Sequence, residues 1–186
     1  MNLEAQLAGL ADLGLPLAAG RTVDELLYSW PRESYEDKPF DVLLYVLGCE
    51  VEAEPWGRRF CDRAWHFDTE CVRGAGSYVA IVGQLCRTAG RQDALTDVRD
   101  HVDLGAEEAW IEYRAGGRER RWDIEVRDDW ADLMTVGYVM DDLEGDGHRF
   151  YARRNGQAMT LYFLTEAEAD RLNGLVGERL VTPFLG

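Results

Sequence analysis

Three polar residues at alternating positions, His66, Asp68 and Glu70, are the set in this chain best suited to chemistry. In a β-strand every second side chain points to the same face, so the three would lie together, opposite Trp65 and Phe67. An imidazole beside two carboxylates can bind a divalent metal or transfer protons. Any strand with one buried face shows the same alternation. A polar outer face with no metal centre is therefore the favoured interpretation, and a metal-dependent or acid/base enzyme is the alternative.

An acidic block over residues 128–146, which contains no basic residue, is the second candidate site. The predicted binding residues in it are Asp128, Asp129, Asp141, Asp142, Glu144 and Asp146. Neighbouring carboxylates repel one another, and negative charge at a helix C-terminus opposes the helix dipole. A basic partner would relieve both effects, so the block is the predicted partner surface. Its neutralisation should leave the fold intact or slightly more stable.

Other polar motifs in the chain are incomplete. Residues 142–148 resemble the beginning of a calcium-binding loop, but Arg153 stands where such a loop requires a bidentate glutamate. Residues 74–78 lack the glycine of a nucleophile elbow and the lysine of a phosphate-binding loop. The cluster of Asp97, Asp100, His101 and Asp103 follows neither a helix face nor a strand face and is interpreted as an exposed edge. No cofactor is predicted.

The charge of the chain limits its partners. Thirty-five acidic residues face 20 basic ones, for a formal net charge of −15. Such a chain repels nucleic acids and anionic membranes and attracts basic proteins. We therefore predict a basic protein partner, with no nucleic acid and no membrane. Lys38 is the sole lysine among the basic residues, which indicates GC-rich codon usage and a bacterial source.

The cysteines and the N-terminus indicate a reducing compartment. The four cysteines, Cys49, Cys61, Cys71 and Cys86, include no CxxC pair and are predicted to be free thiols. No basic region followed by an apolar run opens the chain, and no stretch of 18 apolar residues occurs in it. A cytoplasmic location is the expectation.

Hydrophobic periodicity and turn signals predict an α+β fold. Helices are predicted at 3–13, 22–30, about 39–48, 77–88, 130–143 and 165–176, and strands at 64–71, 98–104, 109–114, 120–126, 148–153 and 157–164. A strand over 42–47 is the rival to the third helix, and residues 31–39 are predicted to be a loop. Asp128 or Asp129 is the predicted N-cap of the helix at 130–143, and Ser77 a possible N-cap of the helix at 77–88.

The predicted architecture is an antiparallel sheet built from hairpins with helices packed on one side, plus a helical N-terminal segment. Residues 1–56 carry 11 acidic and three basic residues. They form a predicted acidic segment ahead of an α+β core at 57–186, in one compact domain overall. The predicted function is that of a non-enzymatic acidic binding protein, such as an immunity-type inhibitor of a basic toxin. This analogy rests on size and charge, and the sequence leaves the oligomeric state open.

Overall fold

The computed structural model describes residues 1–177 of the 186-residue chain. Within this range there are seven α-helices and six β-strands. The helices are α1 (Leu3–Ala11), α2 (Val23–Ser29), α3 (Arg32–Asp37), α4 (Asp41–Leu47), α5 (Ser77–Thr88), α6 (Leu133–Leu143) and α7 (Glu166–Val176). The strands are β1 (Ala64–Asp68), β2 (Leu95–Asp103), β3 (Glu108–Ala115), β4 (Arg118–Asp123), β5 (His148–Asn155) and β6 (Ala158–Thr165).

The strands form two antiparallel three-stranded sheets, in the orders β1-β6-β5 and β2-β3-β4. The α+β class, the two hairpins and the helical N-terminal segment predicted from the sequence are thereby confirmed. Gly116 and Gly117 adopt positive φ values of 55° and 79° in the turn between β3 and β4, a conformation that glycine tolerates best. Gly156 and Gln157 join β5 to β6, because Asn155 pairs with Ala158 as the last residue of β5, so this turn lies one residue later than the predicted Asn155-Gly156.

Strand β6 is buried on both faces, which places the sheet β1-β6-β5 between two hydrophobic cores. Met159, Leu161 and Phe163 pack into the first core, whereas Tyr162 and Leu164 pack into the second. Successive residues of β6 place large apolar side chains on alternate faces of the sheet. Other elements therefore cover both sides of it.

Helices α5 and α6 supply much of the first core and contact both sheets. Helix α5 contacts β1 and β2, and α6 contacts β5. Tyr138 of α6 also stacks on Trp122 of β4, with ring centroids 4.4 Å apart. The two helices are therefore packed against both sheets.

The N-terminal segment belongs to the second core. Leu43 and Leu44 of α4 pack there with Tyr162 of β6 and Leu172 of α7. The Tyr162 hydroxyl also donates a hydrogen bond of 2.9 Å to the Leu44 carbonyl. Residues 1–56 thus share an apolar core with the later part of the chain.

Several local predictions differ from the structure, three of them at helices. The predicted loop at 31–39 contains helix α3, because Tyr35 turns inward to full burial and fixes a helical turn. Helix α6 begins at Leu133, three residues later than expected, and its N-cap is Asp132 rather than Asp128 or Asp129. The N-cap of α5 is Gly76 rather than Ser77. The helix preferred over a strand at 42–47 is confirmed as α4.

The four cysteines are free thiols, as predicted. Burial raises the pKa of Cys49, Cys61 and Cys71 to about 11, so these thiols are protonated at neutral pH. None of the helices in the described part of the chain is long and apolar enough to cross a membrane.

Candidate functional site

His66, the first residue of the predicted chemical set, is half-buried on β1. Its ring meets that of Tyr45 edge-on, with centroids 4.6 Å apart, and its Nδ1 lies 3.5 Å from Thr160 Oγ1. Burial lowers the pKa of His66, and the charge of Asp68 partly opposes that effect. The imidazole is therefore neutral at neutral pH.

Asp68 and Glu70 make separate contacts from those of His66. Asp68 is exposed at the end of β1 and accepts a hydrogen bond of 3.1 Å from the backbone N–H of Glu70. Glu70 lies beyond the strand, where its carboxylate accepts a bond of 2.8 Å from the Gln157 amide. Across residues 1–177, no group of three or more His, Cys, Asp and Glu side chains is placed to hold a metal ion.

His66 lines a cavity of about 380 Å³ that the other two residues of the set do not line in the described structure. Residues of α4, β1, β5 and β6 line it, together with Trp30 at the end of α2. Arg153 of β5 crosses to the start of α4, where its guanidinium donates to the Asp41 carbonyl at 2.8 Å and to the Asp41 carboxylate. The cavity therefore combines aromatic rings, a neutral imidazole and arginine.

The acidic block at 128–146 carries arginine partners from elsewhere in the fold. Four of its six predicted binding residues form ion pairs: Asp129 with Arg73 (2.6 Å), Asp142 with Arg120 (3.0 Å), Glu144 with Arg149 (3.2 Å) and Asp146 with Arg91 (2.7 Å). The mutual repulsion expected from the sequence is offset by these internal cations. These arginines lie 5 to 56 residues from their acidic partners in the chain. The sequence of the block alone therefore does not reveal most of these pairs.

Asp142 is held by a hydrogen-bond network of three side chains. Its carboxylate accepts hydrogen bonds from Arg120 at 3.0 and 3.1 Å and from the Tyr113 hydroxyl at 2.8 Å. The same hydroxyl accepts a bond of 3.0 Å from the Trp122 indole N–H. The side chain of Asp142 is 15% exposed. This network ties α6 to β3 and β4.

Asp128 and Asp141, the other two predicted binding residues, form no ion pair within residues 1–177. Asp128 is exposed in the turn before α6 and has a positive φ of 49°. Asp141 lies in the last turn of α6, where partial burial raises its pKa. Of the six predicted binding residues, only these two are therefore without an ion-pair partner in the described part of the chain.

Of the cluster at 97–103, Asp100 has a defined structural contact. Its carboxylate accepts hydrogen bonds from the backbone N–H groups of Gly76, Tyr78 and Val79 at 2.7, 2.9 and 3.2 Å. These groups open helix α5, so Asp100 caps that helix from another element. His101 instead stacks on Trp110 of β3, with centroids 5.9 Å apart, along the edge strand β2.

Three exposed aromatic residues on the N-terminal segment were not predicted from the sequence as a site. Tyr28 and Trp30 at the end of α2 are 71% and 42% exposed, and Trp56 in the loop after α4 is 69% exposed. Hydrogen bonds hold that loop against α2: Ser29 donates to Glu52 at 2.5 Å, and Arg58 donates to Glu25. The three rings therefore lie on neighbouring elements.

Exposed carboxylates lie on the same parts of the chain as these rings, in α2 and in the loop after α4. Asp24, Glu50, Glu52 and Glu54 are all exposed and form no ion pair in the described part of the chain. We call the three aromatic residues and these four carboxylates the aromatic–acidic face. The net negative charge of residues 1–56 is the sequence signal that could have located it.

Comparisons of the chain with protein-family models, with curated proteins and with solved structures find no match.

Proposed function

We propose that this protein is a non-enzymatic acidic binding protein whose partner is a basic protein. The aromatic–acidic face is the observation that carries the proposal. Tyr and Trp are enriched among the residues that dominate binding energy at interfaces. Tyr28 and Trp56 leave most of their surface in water in the free protein, so a partner that covers them gains apolar contact.

The carboxylates of this face favour a partner with positive charge. Asp24, Glu50, Glu52 and Glu54 form no ion pair within residues 1–177, so lysine or arginine from a partner can pair with them directly. In the block at 128–146, by contrast, a basic partner would compete with Arg73, Arg91, Arg120 and Arg149. We therefore place the partner surface on the N-terminal segment.

An immunity-type inhibitor of a toxin is the specific form of the proposal. An enzyme that acts on nucleic acid has a basic surface because its substrate is polyanionic. An acidic protein that binds this surface pairs with the same basic side chains and so blocks the substrate. The net charge of −15 also favours fast, electrostatically steered association with such an enzyme.

Affinity capture from the source organism, followed by kinetics with the purified partner, tests the proposal. We expect the captured protein to be basic, and its association rate to fall as salt rises. The double variant Tyr28→Ala/Trp56→Ala should weaken binding by at least about tenfold, mainly through faster dissociation. The control is Asp128→Asn/Asp141→Asn, which removes two charges from the other acidic region and should bind nearly as the wild type.

Two results would overturn the proposal. One is a purified partner without a basic surface, and the other is a partner whose affinity is unchanged by the aromatic double variant. Both variants alter exposed side chains, so their thermal unfolding should show no loss of stability relative to the wild type. If the partner is a nuclease, one equivalent of this protein should abolish its activity; a fully active nuclease in the complex would refute the inhibitor form of the proposal.

A further inference from the structure

Strand β4 is an edge of the second sheet, because the order β2-β3-β4 gives it a neighbouring strand on one side only. The Ile124 N–H donates to the Ala109 carbonyl at 2.9 Å, which continues the β3–β4 register by one residue. Bonded and non-bonded pairs alternate along an antiparallel ladder, so the N–H and C=O groups of Glu119, Arg121 and Asp123 point away from β3. None of these three N–H groups donates a hydrogen bond to another residue in the range 1–177.

The opposite edge of the same sheet is protected against pairing, whereas β4 is not. Strand β2 has a bulge between Thr96 and Arg99, where Asp97 adopts a positive φ of 53°. A bulge disrupts the regular row of backbone groups that another strand would need. Strand β4 pairs with β3 without a register shift and contains no proline. It therefore keeps a regular free edge.

The charge of β4 is opposite in sign to that of the whole chain. The strand contains three arginines and two carboxylates, so its formal charge is positive, whereas that of the chain is −15. Two copies of an acidic chain repel one another least where negative charge is locally absent. The edge of β4 is therefore a favourable place for two copies to meet.

The order of charges along β4 decides which antiparallel self-pairing is favourable. A register that places Arg121 opposite Arg121 of the second copy also places Glu119 opposite Asp123, so every charged pair of the free edge is repulsive. A shift of two residues instead places Glu119 of each copy opposite Arg121 of the other. The shift in the other direction leaves only residues 121–123 of the two strands side by side. The register that pairs Glu119 with Arg121 is therefore preferred.

Both members of this charge pair are accessible. Glu119 is exposed and forms no ion pair within residues 1–177. The Arg121 side chain is 50% exposed, contacts Glu112 and lies 3.6 Å from Asp123. Its guanidinium also lies over the Trp110 ring, 4.5 Å from the centroid. A guanidinium has five N–H donors, so Arg121 can accept a further carboxylate without losing these contacts.

We propose that the free edge of β4 joins two copies of this chain, with the strands antiparallel and Glu119 of each copy opposite Arg121 of the other. The two three-stranded sheets then form one six-stranded sheet with two-fold symmetry. Its outer edges are the two β2 strands, whose bulges oppose the addition of further copies. The aromatic–acidic face lies on the N-terminal segment, so this inference goes beyond the proposed function and does not depend on it.

Sedimentation equilibrium of the full chain over a range of concentrations tests the dimer. We expect a monomer–dimer equilibrium, and Glu119→Lys should raise the dimer dissociation constant by about tenfold or more, because both charge pairs become repulsive. This substitution also lowers the net negative charge of the chain, so general repulsion alone would predict tighter association. The matched control is Glu107→Lys, which makes the same charge change in the exposed turn between β2 and β3 and should not weaken the dimer.

A mixture of two variants tests the register. Arg121→Glu should also weaken the dimer, because it makes both charge pairs repulsive in the opposite sense. When the Glu119→Lys and Arg121→Glu proteins are mixed, each basic side chain of one chain faces a glutamate of the other, so a heterodimer should form. If Arg121→Glu loses stability through its contact with Glu112, Glu119→Lys and its control still test the edge.

Amide hydrogen exchange tests whether the backbone of β4 forms the contact. The N–H groups of Glu119 and Arg121 should exchange at least about tenfold more slowly at a protein concentration that favours the dimer. The N–H groups of Arg120 and Trp122 point toward β3 and should change little, so they serve as the control.

Several outcomes would overturn the proposal. They are a chain that stays monomeric at millimolar concentration, a dimer that Glu119→Lys does not weaken, and a mixture of the two variants that does not associate. Protection of the Glu119 and Arg121 N–H groups only in complex with a captured basic protein would show that this edge binds that partner instead, and would also overturn it. The Tyr28→Ala/Trp56→Ala variant should sediment as the wild type, so failure of either proposal is seen separately.

Discussion

The carboxylate of Asp100 on β2 accepts a hydrogen bond of 2.9 Å from the backbone N–H of Tyr78, 22 residues earlier in the chain. The N–H groups of Gly76 and Val79 share the same acceptor. The first N–H groups of a helix have no partner within it, and a nearby anion also complements the helix dipole. This contact therefore fixes the start of α5 relative to the edge of the second sheet.

Replacement of Asp100 by alanine should destabilise the protein by about 1–2 kcal/mol, because three N–H groups lose their acceptor. Urea unfolding followed by far-UV circular dichroism measures the change in free energy. The matched control is Asp93→Ala, which removes an exposed aspartate from the turn before β2. Equal stability of the two variants would show that Asp100 contributes no capping energy.

Asp141 and Asp142 are adjacent acidic residues in α6, and we expect their substitution by alanine to have different effects on stability. Asp142→Ala should cost roughly 1–3 kcal/mol, because it leaves Arg120 and the Tyr113 hydroxyl without their acceptor in a half-buried setting. Asp141→Ala should be neutral or slightly stabilising, since it removes negative charge from the C-terminal turn without breaking an ion pair in the described structure.

Thermal and urea unfolding of these two single variants measure the difference. If both substitutions have a similar small effect, the carboxylates of the acidic block mainly repel one another, as its sequence suggests. A loss of stability confined to Asp142→Ala would instead support the internal neutralisation by arginine.

Local signals predicted most of the elements but not their partners. Thr22 with Glu25 and Thr165 with Glu168 form capping boxes at the starts of α2 and α7, because the residues that make this motif are three positions apart. Gly156, with a positive φ of 65°, marks the turn of the second hairpin in the same local way, although the turn consists of Gly156 and Gln157. Such contacts can be read from a short stretch of sequence.

Contacts between distant residues escaped prediction for a physical reason. Nothing near Asp142 indicates that Arg120 lies beside it, and nothing near Asp100 indicates that it caps α5. The predicted set of His66, Asp68 and Glu70 rested on strand alternation, but β1 ends at Asp68 and Glu70 instead accepts a bond from Gln157. Tertiary packing, which sets these relationships, is not contained in the local pattern.

His66 should make stability depend on pH. Burial lowers its pKa in the folded protein, while the unfolded chain has the ordinary value of about 6.5. The unfolded state therefore binds the proton more tightly, and stability falls as the pH drops from about 6.5 through the lowered folded pKa. Above this window both states hold neutral imidazole and the effect vanishes.

Unfolding free energies of the wild type and His66→Gln at about pH 7.5 and about pH 5.5 measure this contribution. The variant lacks the titrating group, so the stability difference between the two proteins should move in favour of the variant at the lower pH. Titration of the His66 ring by NMR should give a pKa below 6.5. A stability difference that is the same at both pH values would contradict the prediction.

Gly48 and Gly83 should respond in opposite directions to the same substitution. A Cβ on Gly48 would lie 2.7 Å from the backbone nitrogen of His66, which can move only if α4 and β1 separate. Gly48→Ala should therefore cost about 1–3 kcal/mol and displace the resonances of Tyr45 and His66. A Cβ on Gly83, inside α5, meets no atom within 4 Å, so Gly83→Ala should stabilise the protein by up to about 1 kcal/mol. Urea unfolding of both variants provides the measurement, and a stabilising Gly48→Ala would show that this close contact does not constrain the cavity wall.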